Sequence, residues 1–265
     1  MTDDKLSDLV GCLELKPLET GSYLGRSQRL AYRRVYGGQL LAQFVRAASL
    51  AAGGRALKSL HTQFLREGST GEPVRYETDV LRSGRTFSAV RLTAWQELGI
   101  VAVADACLHE WEEGPDRQSV EAVTELPGPE HTVDLALLPW ESRATGDLDT
   151  GDSGPPVHEL WSRIPDAGES LAAPMVAYTS DLTLIGTALR PVHGMTQEDS
   201  GRAFTSAVTS HTLWFHRRIT GGDWLLLRQH SPLAAHGRCF GRGDVLNRDG
   251  VLLASYAQEA LLRFA

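Results

Sequence analysis

The feature that most constrains the fold is a weak internal repeat, with residues 59–111 matching 209–261 in the same order. At a spacing of 150, His61-Thr62 falls on His211-Thr212, Phe64-Leu65 on Trp214-Phe215 and Gly71 on Gly221. At 153, Gly84-Arg85-Thr86-Phe87 falls on Gly237-Arg238-Cys239-Phe240, and at 151 Gly99-Ile100-Val101-Ala102 falls on Gly250-Val251-Leu252-Leu253. Two copies whose spacing drifts in the turns describe a duplicated domain and not a solenoid array. At 265 residues the chain has room for two cores of roughly a hundred residues each.

Each copy reads as one helix followed by antiparallel strands. In the first, Leu40, Leu41, Phe44, Val45 and Ala48 form one stripe after Gly37-Gly38. Val74, Tyr76 and Val80 then alternate with Arg75, Glu77 and Asp79, the period of a half-buried strand. Gly84 and Gly99 sit in the turns that follow, and Asp249-Gly250 is a hairpin signal in the second copy. The second helix is expected to start near Ser180-Asp181, with Leu182, Ile185 and Leu189 as its stripe and Arg190-Pro191 as its end. An α+β architecture follows: two fused units, residues 1–112 and 157–265, each an antiparallel sheet wrapped around a helix. Residues 113–156 between them, acidic and rich in Gly and Pro, read as a linker in which Val133–Trp140 could pack as a short element.

Composition removes several function classes. A formal charge of −7 and the lack of a basic stripe argue against nucleic acid as a partner. Cys12, Cys107 and Cys239 have no CxxC spacing, which speaks against a disulfide framework or zinc knuckle and for a reducing, cytoplasmic setting. Met1–Val10 has no apolar run of signal-peptide length, no segment is long enough to span a membrane, and Arg263-Phe264-Ala265 is not a peroxisomal tripeptide. No GxSxG, GxxxxGK[ST], HExxH or GxGxxG pattern is present, so nucleophile-elbow, nucleotide-loop and zinc-helix chemistry have no foothold. The sequence allows a homo-oligomer without fixing one.

Two positions stand out because the copies differ there. Asp181 is expected in a helix first turn, where free N–H groups favour a carboxylate, while the first copy has Gly38 or Gln39 at its helix start. Gln258 lies in the last strand opposite Cys107 of the first copy. His61 and His211 fall at matching positions, which suggests buried imidazoles with a structural role. Each reading has a plainer rival: a first-turn acid, or an amide satisfied in the core.

At Tyr36-Gly37-Gly38-Gln39, Leu60-His61…Phe64-Leu65-Arg66, Leu81–Phe87, Tyr178-Thr179-Ser180-Asp181-Leu182, His211…Trp214–Arg217 and Asp249-Gly250…Gln258-Glu259, the chain resembles the type II acyl-CoA thioesterases. The likeness covers nearly the whole chain and implies a double hot-dog fold and hydrolysis of acyl-CoA without a cofactor. It also implies a water held by an Asp, a Ser or Thr and a Gln, which places Asp181 and Gln258 in the first and last roles. The middle role falls on Val208, which has no hydroxyl. Strand alternation ranks Ser210 as substitute above Thr209, which points the other way unless a bulge intervenes. Backbone N–H groups near Gly38 are expected to hold the oxyanion. The rival reading is a non-catalytic acyl-CoA or lipid-binding protein.

Overall fold

A computed structural model describes residues 2–30, 33–146 and 151–264. Thr150 of the linker and Ala265 of the C-terminal tripeptide lie outside the described residues. The N-terminal part comprises α1 (Thr2–Leu13), β1 (Lys16–Pro17), β2 (Ser22–Gly25), α2 (Gly37–Ala51), β3 (Leu57–Phe64), β4 (Val74–Ser83), β5 (Phe87–Gln96) and β6 (Gly99–His109). Short strands β7 (Thr132–Val133) and β8 (Ser142–Arg143) follow. The C-terminal part comprises β9 (Val157–Arg163), α3 (Glu169–Ser180), α4 (Leu184–Leu189), β10 (Phe204–Phe215), β11 (Trp224–Ala235), β12 (Arg238–Asn247) and β13 (Leu252–Phe264). Among the described residues no helix is long and apolar enough to cross a membrane.

One antiparallel sheet runs β1-β2-β4-β5-β6-β3-β10-β13-β12-β11-β9-β8-β7. Its two halves share a strand order, β2-β4-β5-β6-β3 facing β9-β11-β12-β13-β10, and meet where β3 pairs with β10. Each half wraps its own long helix, α2 or α3, and the two helices pack antiparallel. Gly38 at the start of α2 lies under the Tyr178 carbonyl near the end of α3, and Arg46 further along α2 reaches the Ser170 carbonyl at the start of α3. This is the double hot-dog arrangement.

The structure shifts the repeat by one residue in the joining strands. Leu65 and Arg66 N–H both donate to the Val101 carbonyl, and His216 and Arg217 N–H both donate to that of Leu253. Leu65 therefore corresponds to His216, so that Phe64 matches Phe215 and His61 matches Thr212. Because side chains alternate across a strand, this single step changes the face. His61 is exposed beside Trp214, whereas His211 is fully buried with Leu60 as its counterpart. The expectation of two equivalent core histidines fails. By the same register Gln258 corresponds to Ala106 and not to Cys107, since Leu60 pairs with Ala106 as His211 pairs with Gln258.

The second helix also differs from expectation. The Leu182, Ile185 and Leu189 stripe belongs to the short α4, and the principal helix, α3, precedes it and ends at Ser180. Apolar residues surround α3 on all sides, so it has no amphipathic period to read. Pro174 inside it removes the N–H that would bond the Ser170 carbonyl, and Arg46 donates to that carbonyl instead, at 3.3 Å.

The connecting stretch packs closely. Val120, Val123 and Leu126 cover Trp161, Trp224 and Leu246, while Leu138 and Ala144 join the main core. β8 extends the sheet beside β9, and the Leu137 carbonyl accepts the Tyr178 hydroxyl at 2.9 Å.

Candidate active site

Asp181 is the C-cap of α3 and not a first-turn residue. A C-terminus is the unfavourable end of a helix for a carboxylate. The antiparallel packing resolves this by presenting the N-terminus of α2: the Gly38 N–H donates to the Asp181 carboxylate. Two glycines permit the approach. A Cβ at Gly37 would lie 2.7 Å from Asp181 Oδ2, and one at Gly38 would lie 2.4 Å from the Tyr178 carbonyl oxygen. The Tyr36 hydroxyl donates to that same carbonyl at 3.0 Å, which ties the two helix ends together.

The Asp181 side chain is 4% exposed, and burial lifts its pKa from 3.8 to about 7 against the lowering effect of the Gly38 N–H. Among the described residues its Oδ1 has no hydrogen-bond partner, and its nearest polar neighbour of opposite potential charge is His211 Nδ1 at 3.9 Å. Burial drives His211 the other way, to about 4, so the ring is neutral wherever Asp181 is ionised. His211 Nδ1 lies 2.9 Å from Gln258 Oε1, and its Nε2 lies 3.0 Å from the Ser180 hydroxyl. With the Nδ1–H donated to Gln258, Nε2 accepts from the Ser180 hydroxyl when that hydroxyl turns from the Ala177 carbonyl, 2.9 Å away, and the Gln258 amide directs its NH2 elsewhere. The Tyr256 ring stacks on the imidazole at 5.8 Å.

A bulge sets how the side chains around Val208 face. Val208 pairs with Ala260 and Ser210 with Glu259, which leaves Thr209 as the extra residue of β10. Ser210 also pairs with the exposed Gln63, so it belongs to the sheet's outer face. Thr209, ranked below Ser210 by strand alternation, lines the Asp181 pocket, with its hydroxyl donating to the Glu259 carbonyl at 3.0 Å. Val208 lines the same pocket and packs with Phe204 and Ala260.

The pocket encloses about 440 Å³ between the start of α2, the end of α3, α4 and the start of β10. Val35, Leu40, Leu137, Leu182, Ile185 and Leu261 give it apolar walls, and Arg34 and Arg66 stand among its lining. Gly37 reaches this surface, while Gly38 and Gln258 lie one layer deeper. The Gly38 N–H, expected from the sequence to face an oxyanion, already donates to Asp181.

A support shell escaped the sequence reading. Thr183, two residues after Asp181, adopts a left-handed backbone with φ 66°. Gln229 of β11 holds it there. Its Oε1 accepts the Thr183 and Thr187 hydroxyls at 2.8 and 3.0 Å, and its Nε2 donates to the Leu182 carbonyl and Tyr256 hydroxyl, both at 2.9 Å. Little in the sequence marks it, since Gln229 sits in the polar stretch Arg228-Gln229-His230-Ser231 that follows the apolar run Trp224–Leu227.

Comparison with known proteins gives a consistent result. Residues 111–262 match the family model described as the acyl-CoA thioesterase C-terminal domain, and residues 27–109 match that of the N-terminal domain. The chain is 31% identical to acyl-CoA thioesterase 2 of Haemophilus influenzae over 99% of both chains, and 27% identical to human acyl-coenzyme A thioesterase 8 over 95% of this chain and 87% of that one. Among solved structures, a tesB protein of Mycobacterium avium subs paratuberculosis superposes with a TM-score of 0.82 at 32% identity, covering 97% and 99% of the two chains. A hot-dog protein of unknown function from Alicyclobacillus acidocaldarius matches in fold, with a TM-score of 0.77 at 18% identity over 97% and 98%.

Proposed function

Because this chain belongs to the acyl-CoA thioesterases and is a thioester hydrolase acting on acyl-CoA, we propose that Asp181, Thr209 and Gln258 hold the hydrolytic water. The observation that carries this reading is the Asp181 carboxylate, desolvated yet set against the N-terminus of the other unit's helix. A thioester carbonyl is already activated, so the reaction needs an oriented water, a base and donors for the developing oxyanion. One water hydrogen faces Asp181 Oδ1, the other faces a Thr209 lone pair, and the Gln258 NH2 donates to the water oxygen. The remaining lone pair points at the acyl carbon. Attack forms the C–O bond as Asp181 takes the proton. Collapse breaks the C–S bond, and the same proton passes to the departing thiolate.

The carbonyl oxygen lies best against the N-terminus of α2, where the Gly37 amide adjoins the pocket and the Gly38 amide is shared with Asp181. His211 acts by fixing the Gln258 amide. We place the boundary between the two units within residues 113–156, and Leu137 from that stretch forms part of the acyl wall. The free cysteines, with Cys12 and Cys239 buried, fit the reducing cytoplasm that we assign to it.

The test is release of free thiol from acyl-CoAs of short, medium and long chain. The parent protein is expected to turn over at least one of them, and Asp181→Asn, shown to be folded, to turn over none at a comparable rate. An Asp181→Asn protein as fast as the parent would remove this residue from the mechanism.

A further inference from the structure

The pseudo-twofold that builds the Asp181 pocket builds a second one at the opposite helix ends, where α3 begins and α2 stops. It is the larger of the two, about 640 Å³. Phe215 and Arg217 line it where Phe64 and Arg66 line the first, and the first residue of α3, Glu169, stands where Gly37 stands. Hydrolytic parts are missing from it. The C-cap position held by Asp181 in α3 is Ala52 in α2, and the counterpart of Gln258 is Ala106. Gly53 and Gly54 follow Ala52 into open space, with nothing within 4 Å of an added Cβ.

The lining is cationic instead. Arg46, Arg55, Arg217 and Arg218 face this cavity against Glu110 and Glu169, whereas Arg34 and Arg66 of the first pocket are matched by Glu67 and Asp181. Trp111, 44% exposed, adds an aromatic surface at the rim, with the Arg218 guanidinium 5.7 Å from its ring centre. Arg46 and Arg55 are fixed by the Ser170 carbonyl and by Glu110 and Ser88, and Arg217 by Asp116 and the Leu252 carbonyl. Among the described residues, Arg218 meets the Trp111 ring and pairs with Glu169 at 3.3 Å, with both charged side chains mostly exposed, a pairing that an incoming phosphate readily replaces.

We propose that this second pocket binds a nucleoside diphosphate without hydrolysing anything, its phosphates on Arg217 and Arg218 and its base against Trp111. Guanidinium pairs match phosphate geometry in a way few other groups do, and an indole face accepts a flat base. The enzyme's own substrate and product carry such a group in the CoA handle, and a free nucleotide carries it too; the first source rests on the acyl-CoA reading, the second does not.

The experiment is calorimetric titration of the full chain with ADP and, separately, with free CoA, on the parent, Asp181→Asn and Arg218→Glu. ADP is expected to bind parent and Asp181→Asn alike and to bind Arg218→Glu about tenfold or more weakly, the loss expected for a charge-assisted contact. Acyl-CoA hydrolysis by Arg218→Glu is expected to stay within about twofold of the parent. Binding of CoA but not ADP, still sensitive to Arg218, would name CoA as the ligand and support the site. Should Arg218→Glu prove unstable, Trp111→Ala gives the same reading. Silence of both probes, or binding unchanged in the variants, overturns the proposal. A parent that binds ADP in this way yet hydrolyses no acyl-CoA would refute the hydrolytic reading and leave this one standing.

Discussion

The two pockets line one scaffold with opposite chemistry. Both lie where one unit's helix begins against the end of the other's, and both are flanked by the Phe and Arg that close a joining strand. One has a glycine at its helix start and an acid at the facing C-cap; the other has Glu169 at the start and Ala52 at the cap. The difference teaches that helix geometry supplies the electrostatic setting in both places, and that a buried carboxylate is admitted to only one of these two. Glycine at position 37 is what admits it, since any Cβ there collides with Asp181.

The comparison breaks most completely at Asp181. Asp181→Asn makes the active pocket as inert as its image, with turnover expected to fall roughly 10²–10⁴-fold and KM nearly unchanged, measured by thiol release. Next comes the bulge. Thr209→Val is expected to lower turnover about tenfold, the scale of one lost hydrogen bond to the reacting water, while Ser210→Ala leaves it alone. Equal effects of the two would dissolve the face assignment.

Smaller and more diagnostic is Gln229→Leu. It removes four hydrogen bonds, although the Thr183 and Thr187 hydroxyls keep the Leu182 and Thr183 carbonyls as acceptors, so the loss is about 1–3 kcal/mol in all and Tm should drop. Turnover should fall by severalfold, with the activity midpoint in pH displaced, because the turn that carries Asp181 is loosened. A lower Tm with an unmoved pH profile would make Gln229 a structural residue only.

The smallest effect is a difference in pH response. Asp181 binds its proton more tightly folded than unfolded, at about 7 against 3.8, so the stability this gives is present below about 4 and is lost as pH rises through about 7. Asp181→Asn should therefore melt like the parent near pH 4 and increasingly above it toward pH 8. His211, lowered from 6.5 to about 4, contributes stability above 6.5 that is lost as pH falls through 4, in both proteins alike. Turnover of the parent should rise through pH 7 as Asp181 ionises. A Tm difference that does not widen from pH 5 to pH 8 would deny the shift.

What the sequence could say depended on periodicity. α2 was legible because Gly37-Gly38 opens an apolar stripe, and the meanders because glycine turns punctuate alternating strands. α3 was not, since a helix buried all round has no polar face and Pro174 reads as a break. Asp181 and Gln258 were singled out for differing between the copies, and the structure sets Asp181 and the His211–Gln258 pair near one another. Position in the sequence assigns Asp181 to the wrong helix: its dipole partner is α2, more than a hundred residues away in the chain. The bulge at Thr209 carries no glycine and leaves no trace in the sequence, which is why alternation favoured Ser210. The histidines misled because a one-residue slip in a strand preserves similarity while exchanging inside for outside.

The junction of β3 with β10 also sets a timetable for synthesis. β3 ends at Phe64 and its partner begins at Phe204, so at about 5–20 residues per second the N-terminal unit waits on the order of ten seconds with one side of β3 unpaired. An open edge of that kind is a template for the wrong neighbour. Lys58, exposed on this strand, places a charge along it, the common device for discouraging such pairing. The last strand, β13, brings Gln258, so on the proposed role of that residue hydrolysis waits until β13 has emerged, and the nascent N-terminal half can bury its core before it can consume substrate.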